Sequence, residues 1–251
     1  MILDKFSLDG KVAIVTGSSG GLGQGICRAF VEAGARVFGV STSPSTATKE
    51  MLGEENFEFI AADLSSLDPV DAIVTGAVDT FGRVDILVNN AGMIRRQDTI
   101  DFSVENWDSV MNVNLRTLFF LSQAVAKQFI RQESGGKIIS IASMLSYQGG
   151  IRVPSYTASK SAVKGITMTM ANEWAQYGIN VNAIAPGYMA TNNTKDLRAD
   201  ADRSEAILER IPAGRWGTPE DIMGAAVFLA SAASDYVNGF TLAVDGGWLG
   251  R

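Results

Sequence analysis

A tyrosine and a lysine four positions apart, Tyr156 and Lys160, are the residues of this chain best suited to moving a proton. On a helix they project from one face, a turn apart. Free tyrosine has a pKa of about 10 and is a poor base at neutral pH. An ammonium about 5 Å away, at an effective dielectric of about 20, favours the phenolate by roughly 3 kcal/mol, or about two pKa units. Burial acts in the opposite direction. The expected net effect is a smaller depression, leaving a phenol that gives and takes a proton near neutrality. The alternative is a Tyr156 packed in the core and a Lys160 in solvent. Such pairs arise by chance on many helices, so this one needs support from the elements that position it.

Those elements are legible. Pro154 suits a helical first turn. Apolar residues at Val163, Ile166, Met170, Trp174 and Tyr177 then continue a core-facing stripe. Ser143 follows the apolar run Lys137–Ile141, which reads as a buried strand. A hydroxyl at that strand's carboxyl end and the Tyr/Lys pair at the start of the next helix can share one crevice.

Composition narrows the chemistry. The chain has 251 residues, 46% of them hydrophobic, enough to bury a full core as one domain. A net charge of −6 without a basic block argues against nucleic acid as a partner. No apolar run reaches membrane-span length, and the first residues lack the shape of a signal peptide; we expect a cytoplasmic protein with no membrane contact. There is no histidine, and the one cysteine, Cys27, sits in a helical pattern with Ile26, Ala29 and Phe30 and reads as a packed thiol. Disulfide and zinc chemistry are therefore not expected, and no metal site is assigned. Proton transfer falls to Tyr, Lys, Ser or carboxylates.

Lys11–Thr16 is a continuously apolar strand of the kind that parallel sheets bury on both faces. It runs into Thr16-Gly17-Ser-Ser-Gly20-Gly21-Leu-Gly23 and then a helical pattern ending at Gly34. Strand, glycine turn and helix together are the context in which backbone N–H groups receive a pyrophosphate. Arg36–Val40 is a second strand with the tip Ser41-Thr42-Ser43-Pro44. An acid at this tip favours NAD and an arginine favours NADP. Neither is present, and with no cation to compensate a 2′-phosphate we expect NAD. Phe57–Ala61 is a third strand; Asp63 beyond it either accepts from an adenine amino group or caps the turn near Ser65. Val84–Val88 is the fourth strand and leads into Asn89-Asn90-Ala91-Gly92, whose small residues let a cofactor approach the backbone.

From Ser103 to Gln132 two helical stretches are expected, the first capped by Ser103, with Asn112 and Asn114 between them. The second is apolar around nearly its whole circumference (Leu115, Leu118, Phe119, Phe120, Leu121, Val125, Phe129, Ile130), so the side away from the sheet is expected to meet another subunit. We expect a homo-oligomer, a tetramer as the working assembly. Ile179–Ile184 is a sixth strand, ending at Pro186-Gly187, and Phe240–Val244 the seventh. The polar segment 188–217 follows a strand's carboxyl end, where it reads either as a substrate lid or as a solvated helical insertion. The whole chain, 1–251, is thus expected to be an α/β fold: a single doubly wound Rossmann-type domain with a seven-stranded parallel sheet and helices on both faces.

Six motifs appear in order: Thr16-Gly-x-x-x-Gly-x-Gly23, Asn89-Asn-Ala-Gly92, Asn114, Ser143, Tyr156-x-x-x-Lys160 and Pro186-Gly187. Together they resemble the short-chain dehydrogenase/reductase family. The resemblance implies hydride transfer between a secondary alcohol and a nicotinamide, with Tyr156 as acid/base, Lys160 lowering its pKa and holding the nicotinamide ribose, Ser143 bonded to the reacting oxygen, and Asn114 holding a water that links Lys160 to solvent. It also implies cofactor contacts at Gly17, Ser19, Gly21, Leu22, Gly23, Ser41, Asp63, Leu64, Asn90, Ala91, Gly92, Tyr156, Lys160, Pro186, Gly187 and Thr191. Longer stretches (Gly92-Met-Ile-Arg95-Arg96, Ser143 to Tyr156, Ala185 to Asn193, Arg210 to Trp216) are similar to the group of 2-deoxy-D-gluconate 3-dehydrogenases, also described as 2-dehydro-3-deoxy-D-gluconate 5-dehydrogenases. A sugar acid carries a carboxylate that a guanidinium can bind through two hydrogen bonds. Arg95, Arg96 and Arg152 are the candidates, each equally readable as a surface or interface arginine. Asn192 and Asn193 are the candidates for sugar hydroxyls, and Ser143 and Gln148 complete the expected substrate contacts. The alternatives are a gluconate 5-dehydrogenase, a 3-oxoacyl-carrier-protein reductase, or a non-catalytic NAD-sensing protein on the same fold.

Overall fold

The computed structural model describes residues 1–251. Seven strands are present: β1 (Val12–Thr16), β2 (Arg36–Ser41), β3 (Phe57–Ala61), β4 (Ile86–Asn89), β5 (Gly136–Ile141), β6 (Ile179–Pro186) and β7 (Thr241–Val244). They form one sheet in the order β3-β2-β1-β4-β5-β6-β7, every pairing parallel. β1 and β4 are buried at every position, the pattern expected when helices cover both faces. The fourth strand starts two residues later than the apolar run suggests. The Gln132 side chain takes both backbone groups of Val84, accepting from its N–H at 3.0 Å and donating to its carbonyl at 2.7 Å, so Val84 stays off the ladder.

Two cores flank the sheet. On one side α1 (Gly21–Glu32) and α9 (Pro219–Ala230) bury Ile26, Cys27, Phe30, Ile222, Ala226 and Leu229. On the other, α3 (Val70–Phe81), α5 (Leu118–Arg131) and α6 (Pro154–Trp174) contribute Ile73, Ala77, Leu121, Val125, Phe129 and Met170. α2 (Thr46–Leu52) sits beyond the tip of β2. α4 (Val104–Met111) is capped by Ser103, whose hydroxyl accepts the Asn106 N–H at 3.2 Å. Between α4 and α5 the backbone winds as a π-helix over Asn112–Thr117, a geometry that often marks functional sites. α5 buries the stripe Leu118, Leu121, Val125 and Phe129 and leaves Phe120 and Ile130 38% and 41% exposed.

Strand order reverses between β1 and β4, so the carboxyl ends of these strands open a crevice at the switch point. Segment 188–217 lies beside it and contains the short helices α7 (Lys195–Ala199) and α8 (Ala201–Leu208). Its ends are pinned together: the Ala190 N–H donates to the Gly217 carbonyl at 2.7 Å and the Gly217 N–H to the Tyr188 carbonyl at 2.9 Å. No helix is long and apolar enough to cross a membrane.

Candidate active site

The crevice is a cleft of about 530 Å³. Its floor begins at the turn after β1, where Gly17 takes a φ of +71°. Gly23 packs against the Gly17 carbonyl, and an added Cβ would also meet the Asn90 amide at 2.6 Å; only glycine lets the first turn of α1 approach so closely. The turn after β4 is stitched to the turn after β1. Thr16 Oγ1 accepts from the N–H groups of Asn90 (3.0 Å) and Ala91 (2.9 Å), and Asn90 Nδ2 donates to the Thr16 carbonyl at 2.8 Å. The two walls of the crevice are therefore one hydrogen-bonded unit.

Of the residues expected from the sequence, Gly17, Ser19, Gly21, Leu22, Asn90, Ala91, Gly92, Ser143, Tyr156, Lys160, Pro186, Gly187, Thr191 and Asn193 line this cleft. Gly23 lies beneath its floor. Ser41 is buried and turned inward, where its hydroxyl donates to the Ser43 carbonyl and meets Ser45 Oγ at 2.9 Å; Ser45 in turn meets Ser18 Oγ at 2.9 Å. Asp63 accepts the Ser65 N–H at 2.9 Å, the capping alternative, and Leu64 packs into the core beneath α3 and α5.

Tyr156, Ser143 and Lys160 meet at the head of the cleft. Lys160 is 3% exposed; its Nζ donates to the Ile141 carbonyl at 2.6 Å and lies 5.6 Å from the centre of the Tyr156 ring. Burial pushes the ammonium down from 10.5 to about 8. Burial also raises the Tyr156 phenol above its ordinary value of 10, while a hydrogen bond with Ser143 and the charge of Arg96 draw it back. The net direction is therefore up, where the sequence argument gave a modest depression. Spacing alone does not register the desolvation of the phenol, which outweighs the hydrogen bond and the charge that lower it. Ser143, 8% exposed, accepts the Leu145 N–H at 3.1 Å. Ser146 ties the same turn to α6 by donating to the Lys160 carbonyl at 2.6 Å. Behind them Asn114 is fully buried, bonded to the backbone of Met93 and to Ser159.

The arginines divide. Arg96 reaches across the cleft mouth, donating to the Asn193 carbonyl at 3.2 Å, and its charge is felt at Tyr156. Arg95 and Arg96 are both exposed and neither is part of the cleft wall; Arg95 lacks the bond to Asn193. Arg152 is exposed and paired with Asp98 at 2.7 Å. Gln148 faces away, its side-chain carbonyl accepting from the Trp248 indole at 3.1 Å. The sequence reading missed Arg198, which lines the cleft and donates to the Thr191 carbonyl at 3.2 Å; its only signal was a cation in the polar run after β6. No carboxylate lines the cleft, whereas Lys160 and Arg198 do. In a chain of net charge −6 this local excess of cations fits an anionic dinucleotide and an anionic substrate. The free N–H groups at the start of α1 can take a pyrophosphate.

Known proteins share this sequence pattern and this fold. The family model for short chain dehydrogenases matches residues 11–202. A 2-dehydro-3-deoxy-D-gluconate 5-dehydrogenase from Dickeya dadantii (strain 3937) is 63% identical over the full length of both chains. A crystal structure of an Agrobacterium tumefaciens protein assigned as a 2-deoxy-D-gluconate 3-dehydrogenase, with bound NADP, has a TM-score of 0.93 at 54% identity, covering 98% of this chain and 99% of that one. A gluconate 5-dehydrogenase from Burkholderia cenocepacia J2315, in complex with NADP and tartrate, has a TM-score of 0.93 at 39% identity and is covered over all of both chains. Relatives of this kind bind a nicotinamide cofactor, and their sheet is this sheet. The chain belongs to the short-chain dehydrogenase family.

Proposed function

We propose that the protein is an oxidoreductase that moves a hydride between NAD(H) and the secondary alcohol or ketone of a deoxy sugar acid, 2-dehydro-3-deoxy-D-gluconate or 2-deoxy-D-gluconate. One observation carries the reading: the Tyr156 phenol faces Ser143, with the buried Lys160 amine 5.6 Å from its ring, at the head of a cleft lined by cations and no carboxylate. The bound nicotinamide would supply the hydride chemistry. Every other part of the reaction falls to this chain. Tyr156 exchanges the proton with the reacting oxygen, and Ser143 holds that oxygen by a hydrogen bond. Lys160 holds the nicotinamide ribose and biases the phenol toward releasing its proton. The Asn114 Nδ2 is committed to Met93 and Ser159, while its Oδ1 accepts only the Met93 N–H and keeps a lone pair for a water that links Lys160 to solvent.

The turn residues Gly17, Ser19, Gly21 and Leu22 take the pyrophosphate, with Asn90, Ala91, Gly92, Pro186, Gly187 and Thr191 along the rest of the dinucleotide. The preference for NAD rests on the uncharged tip of β2, where Ser41 and Ser45 bond to one another and no cation follows before Lys49. Arg96 anchors the substrate carboxylate, and Asn193 meets a sugar hydroxyl. Segment 188–217 acts as a lid: Thr191, Asn193 and Arg198 are its cleft-facing edge. The exposed side of α5, with Phe120 and Ile130, is the contact of a homotetramer.

Following reduced-nicotinamide absorbance with 2-deoxy-D-gluconate, gluconate and 2-dehydro-3-deoxy-D-gluconate, each with NAD and with NADP, tests the reading. Turnover of a deoxy sugar acid with NAD, abolished in Tyr156→Phe while the cofactor still binds, is expected. Tight dinucleotide binding with no turnover of any sugar acid would overturn it in favour of a sensor. Efficient use of NADP would overturn the cofactor choice alone.

A further inference from the structure

After β7 the chain ends in Asp245-Gly-Gly-Trp248-Leu-Gly-Arg, a stretch the proton-transfer machinery does not use. It is nevertheless firmly built. Gly246 and Gly247 take φ values of +65° and +92°, and the Asp245 carboxylate accepts from the N–H groups of Gly247 at 2.9 Å and Leu249 at 2.8 Å. This turn seats Trp248, 6% exposed, among three other segments. Its indole N–H donates to Gln148 at 3.1 Å, on the turn that leaves Ser143. Its ring meets Tyr188 edge-on with centroids 4.8 Å apart, and Tyr188 meets Trp216 in the same way at 5.4 Å. The Arg210 guanidinium lies 4.3 Å from the centre of the indole. Ile207, Ile211 and Met144 complete the cluster.

Tyr188 opens segment 188–217, Arg210 belongs to its distal half, and Trp216 closes it. Met144 follows Ser143 directly. The cluster thus grips the segment on its side away from the cleft and joins it to the turn that carries the Ser143 hydroxyl. We propose that Trp248 is a positioning residue: it fixes the back of the lid against the Ser143 turn, so that the edge bearing Thr191, Asn193 and Arg198 closes over substrate in one place. This rests on the reading of 188–217 as a lid. Loosening the grip lowers the fraction of closed lid, and apparent affinity falls in proportion to that fraction.

The experiment uses the full chain with Trp248→Ala, Trp248→Phe, which keeps an aromatic ring without the N–H, and Gln148→Ala. Steady-state kinetics with a turned-over sugar acid are paired with trypsin cleavage at Lys195, Arg198 and Arg203, with and without NADH. Trp248→Ala is expected to raise KM about tenfold with kcat changed by less than about twofold, corresponding to a closed fraction near a tenth of the original. It should also lose the protection of the lid by NADH. Trp248→Phe and Gln148→Ala should agree with each other and lie between; if Trp248→Ala does not fold, these two decide. A folded variant with unchanged KM and unchanged protection, or with kcat alone reduced, overturns the inference. If no sugar acid is turned over, the cleavage experiment still reads Trp248. Protection in the wild type that weakens in Trp248→Phe supports the role; equal protection, or none in the wild type, ends it.

Discussion

Asn114 holds the backbone of Met93 at both ends: Oδ1 accepts its N–H at 2.9 Å and Nδ2 donates to its carbonyl at 2.9 Å. The second amide hydrogen reaches Ser159 Oγ at 3.2 Å, and Ser159 donates onward to the Tyr156 carbonyl at 2.8 Å. One fully buried amide therefore joins the turn after β4, the π-helical stretch before α5 and the first turns of α6. Replacing it by leucine removes these bonds and strands the Met93 groups, an expected loss of about 3 kcal/mol; Ser159→Ala, which strands a single N–H, should cost about 1 kcal/mol. Urea unfolding of both variants checks the ranking, and equal stability of all three proteins would remove Asn114 from this structural role.

Local spacing carried much of this site into the sequence. The glycine turn after β1 and the Tyr156/Lys160 pair are legible because their geometry is set by residues within one or two turns of chain. The break between two helical stretches at Asn112 and Asn114 is visible too. That it is a π-helix is not, because the bonds that hold Asn114 run to Met93 and Ser159, far away in sequence. Two adjacent arginines look alike on paper and both are exposed; only the path of the loop brings Arg96 to the Asn193 carbonyl and its charge within reach of Tyr156. Gln148 lies between Ser143 and Tyr156 in sequence, yet its partner is 100 residues downstream. The direction of the Tyr156 shift is hidden from the sequence for a related reason. Spacing gives the distance to Lys160 but not the depth of burial.

Arg96 is the guanidinium that touches both the lid and the field of the phenol. Charge-assisted hydrogen bonds contribute about 1.5–3 kcal/mol, so Arg96→Gln should raise KM for a sugar acid roughly 10- to 150-fold. Its charge also draws the Tyr156 pKa down, so the pH–rate profile of the variant should move to higher pH. Arg95→Gln and Arg152→Gln are the controls, expected to stay near wild type. A similar rise in KM for all three, with no shift of the profile, would assign the effect to general surface charge.

Two glycines separate packing from propensity. Gly23→Ala forces a Cβ into the Gly17 carbonyl and the Asn90 amide, distorting the turn that takes the pyrophosphate. Dinucleotide titration of this variant should show affinity reduced by at least about tenfold, a loss of 1.4 kcal/mol. Gly224, exposed in the interior of α9, has nothing within 4 Å of an added Cβ. Gly224→Ala should therefore gain about 0.5–1 kcal/mol from helix propensity and leave cofactor binding unchanged. Undiminished binding in Gly23→Ala would contradict the close approach of α1 to the crevice.

Lys160 makes the folded state sensitive to alkaline pH in a direction that can be signed. Burial lowers its pKa from 10.5 to about 8. Below pH 8 both states carry the proton, and the folded chain bears the full cost of a desolvated ammonium. Between pH 8 and 10.5 the unfolded chain holds a proton that the folded chain has released, so stability from this group rises with pH, by on the order of 3 kcal/mol across the window. Cys27 and Tyr156 act oppositely, since burial raises both and their unfolded forms ionise first. These two groups are common to the wild type and to Lys160→Met, so the difference between the two stability curves isolates the amine. Wild type minus variant should climb from pH 8 toward pH 10, with the variant the relatively more stable protein at pH 7. Thermal unfolding of both proteins across that range reads it directly. Parallel curves would mean that the Lys160 amine is solvated, and that the site has no buried cation with which to bias the Tyr156 phenol.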